Sequence, residues 1–169
     1  MINGRSNQNR RKEMAEHFGE IELVSLPAFR AARYQVISQT PEDDSSRRLG
    51  EWLKEQKLQN WESRRFGFDV PAAEELQKKG LRGYESWVTV PQGVEGSADV
   101  DVIDFPGGRY AYMLISDAFA DPFQIIPAGW QKLVNWVKDS AYQFDDRPCL
   151  EEVIETSPKP ALAIYLAIK

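Results

Sequence analysis

Four aromatic side chains with polar tips, Trp87, Tyr110, Tyr112 and Tyr165, and one carboxylate, Glu85, stand at alternate positions of strand-like runs. Each therefore belongs to one face of a sheet. Indole and phenol rings turn negative faces towards a cation or a planar molecule, at about 0.5–2 kcal/mol each, so several together could hold a small lipophilic ligand. The same residues would also serve as a second, dry core layer between two sheets. Their polar tips favour a cleft.

The elements that must position this set follow from the alternation. Val88 and Val90, with Ile164, Leu166 and Ile168, are the aliphatic set expected beneath helices, which leaves Glu85, Trp87 and Thr89, and likewise Ala163, Tyr165 and Ala167, on the opposite face. In the earlier strands Ala32, Tyr34 and Val36 match Ala111, Met113 and Ile115 as the helix side. Tyr110, Tyr112 and Leu114 then face the other way, as do Ala31, Arg33 and Gln35. Arg33 reads equally well as a cleft residue paired with an acid or as an exposed edge residue.

These strands belong to a unit written twice. Leu26-Pro27-Ala28-Phe29-Arg30 overlays Phe105-Pro106-Gly107-Gly108-Arg109, and Leu49-Gly50-Glu51-Trp52-Leu53-Lys54 overlays Leu133-Val134-Asn135-Trp136-Val137-Lys138. The prolines before each strand suit a bend, so hairpin-like entries are expected. Leu49, Trp52, Leu53 and Gln56 mark a first helix behind the capping candidates Asp44 and Ser45. Pro127 in a first turn, followed by Trp130, Leu133, Val134, Val137 and Ala141, marks a second. A short insert helix is expected over 72–79. Residues 1–20 read as a polar tail, and 21–169 as a domain made of repeat one, 21–91, and repeat two, 98–169. The fold class is α+β, a duplicated strand-helix-strand-strand module with pseudo-twofold symmetry and a ligand cleft between its halves. About 70 residues alone bury too little core, which pairing the copies would remedy.

Composition narrows the function. With 21 Lys+Arg against 26 Asp+Glu among 169 residues, the net charge of -5 disfavours a phosphate backbone as partner. One cysteine, Cys149, and one histidine, His17, build neither an internal disulfide nor a four-ligand zinc site. No motif calls for a cofactor or metal. No apolar run approaches a membrane span and no signal peptide opens the chain, so no membrane partner and a cytoplasmic location are expected. Twenty polar residues cannot hold a helix-turn-helix, and direct DNA binding is not expected. Cys149 should pack as a small apolar side chain.

The runs Gly83-Tyr84-Glu85-Ser86-Trp87-Val88-Thr89-Val90-Pro91, Phe105-Pro106-Gly107-Gly108-Arg109-Tyr110-Ala111, Trp130-Gln131-Lys132-Leu133 and Asp146-Arg147-Pro148-Cys149-Leu150-Glu151-Glu152, in this order, resemble the GyrI-like small-molecule-binding family. That family also supplies effector-binding domains of AraC-type and MerR-type regulators. The resemblance covers about 21–169. It implies an aromatic cleft holding an acidic residue that meets drug-like, often cationic ligands, and it adds Glu151 and Trp130 to the candidates. From the residues alone, Glu151 beside Glu152 is ordinary surface charge. In the family's Pro-Cys-x-Glu-Glu-Tyr pattern the first Glu matches Glu151, whereas Val153 stands at the Tyr position. A carboxylate partly desolvated among rings gains most by pairing with a cation.

Three functions follow from the resemblance. The first is stand-alone binding of small lipophilic molecules, cationic ones among them. The second is hydrolysis of cyclopropane-containing or other electrophilic toxins, with Glu151 as the catalytic base and Tyr112 or Tyr165 as donor. The third is inhibition of DNA gyrase through a protein surface, with any protein partner otherwise unknown.

Overall fold

The computed structural model describes residues 3–169, in the order α1 (Asn3–Ala15), β1 (Glu22–Leu26), β2 (Phe29–Ser38), α2 (Pro41–Glu55), β3 (Arg65–Val70), α3 (Glu74–Gln77), β4 (Arg82–Thr89), β5 (Asp101–Phe105), β6 (Gly108–Ile115), α4 (Pro122–Lys138), β7 (Leu150–Ile154) and β8 (Ala161–Ala167). The architecture is mixed α/β with antiparallel pairing. Among the described residues no helix is long and apolar enough to cross a membrane.

The chain forms two compact units, one from residues 1–26 with 109–169 and the other from residues 27–108. In the first the strand order is β1-β6-β8-β7, and in the second it is β5-β2-β4-β3. The expected hairpins at Pro27 and Pro106 do not form: β1 neighbours β6 instead of β2, and β5 neighbours β2 instead of β6. A proline supplies no N–H to a tight antiparallel turn, and at Pro106 the following Gly107 takes a φ of 74°, open to glycine at little cost. The chain leaves one unit at each of these bends and contributes its next strand to the other.

In the unit 27–108, α2 opens with Pro41 in its first turn and Glu42, Asp43 and Asp44 at its positive end, so it begins before the expected caps. Pro41, Ser45, Leu49, Trp52 and Leu53 recur at helical spacing and are buried. Leu49, Trp52 and Leu53 pack on Ala32, Val88, Val90 and Val100. The polar member of this stripe is satisfied, since Ser45 and Ser86 share a buried hydroxyl hydrogen bond of 2.6 Å.

In the other unit α4 starts at Pro122, which takes the first-turn place expected for Pro127; Pro127 lies inside the helix and Ala141 beyond it. Ile125, Gly129, Leu133 and Val137, four residues apart, bury one ridge against Ala111, Met113, Ile115, Leu162, Ile164, Leu166 and Ile168. Gly129 lets α4 lie close to β6, because a Cβ there would meet Ile115 Cδ1 at 2.5 Å and have to push that side-chain end aside. The segment expected as a polar tail is helical over Asn3–Ala15, with residues 7–13 exposed. Its Arg, Lys, Gln and Glu residues are good helix formers even without an apolar stripe. Met14 and Phe18 pack on this core, and the Gly19 amide donates to Leu114 O at 2.8 Å.

Trp52 is wholly buried. Trp52→Ala should lower the unfolding free energy by about 3–5 kcal/mol. A urea-unfolding midpoint unchanged from wild type would show that the α2 core tolerates its loss.

Candidate functional site

Each unit has one sheet face under its helix and one turned away from it, and the polar aromatics gather on the second. In the unit 27–108 the pairing of β4 with β2 and β3 sets Trp87 opposite Arg33 and Phe66, and Glu85 opposite Gln35 and Phe68. Directly paired residues share a face. The Trp87 indole donates to Glu85 Oε1 at 2.7 Å, and the carboxylate residue is only 7% exposed. Around the indole stand Phe68 and Phe105, each with its ring centre 5.4 Å away, and Phe29 at 6.3 Å. Phe66 stacks on Phe29 at 5.4 Å. Trp87 and Glu85 thus lie together on the face expected for them.

In the other unit β6 pairs Tyr112 with Tyr165 and Tyr110 with Ala167 on β8. The Tyr165 ring lies 5.1 Å from that of Tyr112 and 6.1 Å, edge-on, from that of Tyr110. All three tyrosines share the face expected for them. The carboxylate among them is not Glu151. The β7–β8 register sets Glu151 opposite Ile164, a residue of the helix-side core, and Leu150 opposite Tyr165. Glu151 therefore points with the helix, where its Oε1 accepts the Trp130 indole of α4 at 2.8 Å. Glu152, one residue on, lies on the tyrosine face, is 6% exposed and accepts the Tyr165 hydroxyl on Oε2 at 2.6 Å. Trp130 accordingly packs on the α4 core, away from the tyrosines. Val153, at the position of the family's tyrosine, shares the Glu151 side of the strand and is half-exposed. Its missing hydroxyl takes no donor from Glu152.

The Asp146-Arg147-Pro148-Cys149 run builds the rim of the tyrosine face. Arg147 donates to Ile168 O at 2.8 Å and to Arg109 O at 3.1 Å, while its guanidinium lies 5.0 Å from the centre of the Tyr110 ring. The Tyr110 hydroxyl donates to Pro148 O at 3.1 Å. Burial pushes the Tyr110 phenol up to about 12 against a partial opposing pull from Arg147. Cys149 is half-buried beside the α4 core, and burial raises its thiol too.

The phenylalanines Phe29, Phe66, Phe68 and Phe105 and the carboxylate Glu152 were not among the residues expected from sequence. The alternation of Phe66 and Phe68 within Arg65-Phe66-Gly67-Phe68 was a signal for the former. For Glu152 the deciding fact is a pairing register between two strands.

A family model for the GyrI-like small molecule binding domain matches residues 19–169. The chain belongs to this family. No curated protein matches the sequence. Among solved structures, the chain is similar to EcmrR in its DNA complex, at 13% identity and a TM-score of 0.66, over 98% of this chain and 62% of that one. It thus spans less than two thirds of the EcmrR chain. A hydrolase from Listeria innocua is similar at 10% identity and a TM-score of 0.64, over 96% of this chain and 98% of that one. SAV2435, solved bound to tetraphenylphosphonium, is similar at 15% identity and a TM-score of 0.53, over 89% of this chain and 94% of that one. These likenesses establish the GyrI-like fold.

The Tyr110 environment has a measurable consequence. An unfolded tyrosine ionises near pH 10, whereas the folded phenol holds its proton to about 12, so its contribution to stability is intact below pH 10 and is lost as the pH rises from 10 to 12. Urea unfolding across that window should show a smaller fall for Tyr110→Phe than for wild type. Equal falls would count against a perturbed Tyr110.

Proposed function

We propose that this GyrI-like domain binds small lipophilic molecules on its aromatic faces and prefers cations through carboxylates set among the rings. The observation that carries this reading is the repeated pairing of a buried carboxylate with an aromatic donor: Glu85 with the Trp87 indole, and Glu152 with the Tyr165 hydroxyl. A carboxylate has about four lone-pair sites, more than a single donor fills. The surrounding rings supply apolar area and negative π faces for the body of a lipophilic cation. A carboxylate kept from bulk water gains more from such a partner than an exposed one does. That the related SAV2435 was solved with tetraphenylphosphonium supports the choice of ligand class.

Tetraphenylphosphonium titrated into the protein should quench tryptophan fluorescence and release heat in calorimetry. Glu85→Gln or Glu152→Gln should weaken it about tenfold, the equivalent of one charge-assisted contact. Triphenylphosphine oxide, neutral and of similar shape, should bind wild type and these variants alike. Glutamine still accepts from the indole or phenol, so the fold is retained. Tetraphenylphosphonium affinity unchanged in both variants would sink the reading.

Hydrolysis of electrophilic small molecules is the second reading, and the observation favouring it is the 2.6 Å contact between Tyr165 and Glu152. A carboxylate can take a proton from water while a phenol donates to a leaving atom, and the pair here stands within hydrogen-bond reach. This assigns the acid–base role to Glu152 instead of Glu151. Cyclopropane-containing compounds incubated with the protein and followed by mass spectrometry should yield a product that Glu152→Gln abolishes and Glu151→Gln does not. Binding of these compounds without any product leaves the domain a binding protein.

A further inference from the structure

On the face that carries Trp87, the carboxylate Glu85 already has a cation of its own. Arg33 is the direct β-pairing partner of Trp87, and its guanidinium Nη1 lies 3.9 Å from Glu85 Oε1, the same oxygen that accepts the indole. Its other terminal nitrogen, Nη2, donates to Asp101 Oδ2 at 3.4 Å, across the β2–β5 pairing in which Arg33 and Asp101 are opposite one another. The two acids differ in surroundings. The Glu85 side chain is 10% exposed and that of Asp101 70%, with Arg33 between them at 42%. The guanidinium thus touches a buried carboxylate at long range and an exposed one at closer range, from a position that water reaches.

We propose that Arg33 is the internal counter-ion of Glu85, that it sets how strongly this face selects cations, and that a bound cation displaces its guanidinium towards Asp101. The inference rests on the reading of this face as a ligand site. One arginine between two carboxylates leaves a local charge of minus one, so the face still attracts a monocation, but the cation must take over the pairing that Arg33 makes with Glu85. Asp101 gives the displaced guanidinium a second acceptor within reach of a small rotation, so the arginine remains paired throughout. A neutral ligand of the same shape gains nothing from the exchange. Arg33 therefore lowers the affinity for cations without lowering it for neutral molecules, acting as a specificity-determining residue.

Tetraphenylphosphonium and triphenylphosphine oxide, titrated against the full chain, test this. Arg33→Gln should tighten tetraphenylphosphonium about two- to fivefold, the range of a partly exposed ion pair, and leave triphenylphosphine oxide unchanged. Arg33→Lys should keep wild-type affinity within about twofold, since the charge stays. In a Glu85→Gln background the Arg33→Gln effect should vanish. Asp101→Asn should weaken tetraphenylphosphonium when Arg33 is present and have a smaller effect when it is absent. Thermal unfolding of each variant checks that the sheet is intact. Wild-type binding that Arg33→Gln leaves unchanged or weakens overturns this inference alone, as does an equal gain for the neutral compound. Failure of both wild type and Arg33→Gln to bind tetraphenylphosphonium would instead remove the ligand-site reading, and this inference with it.

Discussion

Taking a carboxylate out of water costs several kcal/mol unless donors replace the lost hydration, and this requirement shapes the side of each unit's strands that is turned away from its helix. Glu85 and Glu152 are each more than nine-tenths buried, and each is met by the polar tip of an aromatic residue on an adjacent or the same strand. An aromatic donor does two things at once: it satisfies an oxygen and presents a ring. That dual role explains why the polar aromatics are Trp87 and Tyr165 at these positions, while the rings packed about Trp87 are plain phenylalanines with nothing left to satisfy.

The opposite faces answer a different demand. A sheet that leaves one side for rings and carboxylates must draw its core from the other, and α2 and α4 supply it with buried residues at helical spacing. Polar groups that enter that side include locally paired ones, Ser45 with Ser86 and Trp130 with Glu151, while the buried Trp52 indole nitrogen has no hydrogen-bond partner. Two neighbouring glutamates thus have separate tasks. Glu151 ties the last helix to its sheet, and Glu152 stands among the tyrosines.

Strand alternation was legible in the sequence because it is local: the sides taken by Trp87, Glu85, Tyr110, Tyr112 and Tyr165 follow from counting residues in twos. The helices α2 and α4 were legible for a similar reason, although Pro41 and Pro122 start them earlier than expected, Pro127 lies inside α4 and Ala141 falls beyond its end. Glu151 entered through the family motif, not through alternation; β7 carries an acid on both of its faces, and the pairing of Leu150 with Tyr165 sets Glu152 on the tyrosine side and Glu151 on the other. The helix before residue 19 was missed for want of an apolar stripe, although its residue types favour helix. The hairpins at Pro27 and Pro106 failed because partner choice between strands is non-local. Nothing in a proline-containing bend says which sheet receives the next strand.

That exchange of strands fixes the order in which a growing chain can be completed. The unit 27–108 is continuous and holds all four of its strands once Gly108 has been synthesised. The other unit owns β1 from the start of the chain but lacks β6, α4, β7 and β8 until the last residues emerge. Its first strand must wait, unpaired, for roughly 80 residues of intervening chain before β6 exists to receive it, a long-range closure of the kind that slows folding. During that interval the polar segment preceding β1 is attached to an unpaired strand edge, and charged residues such as Arg10, Arg11 and Lys12 beside an edge discourage it from recruiting a second chain.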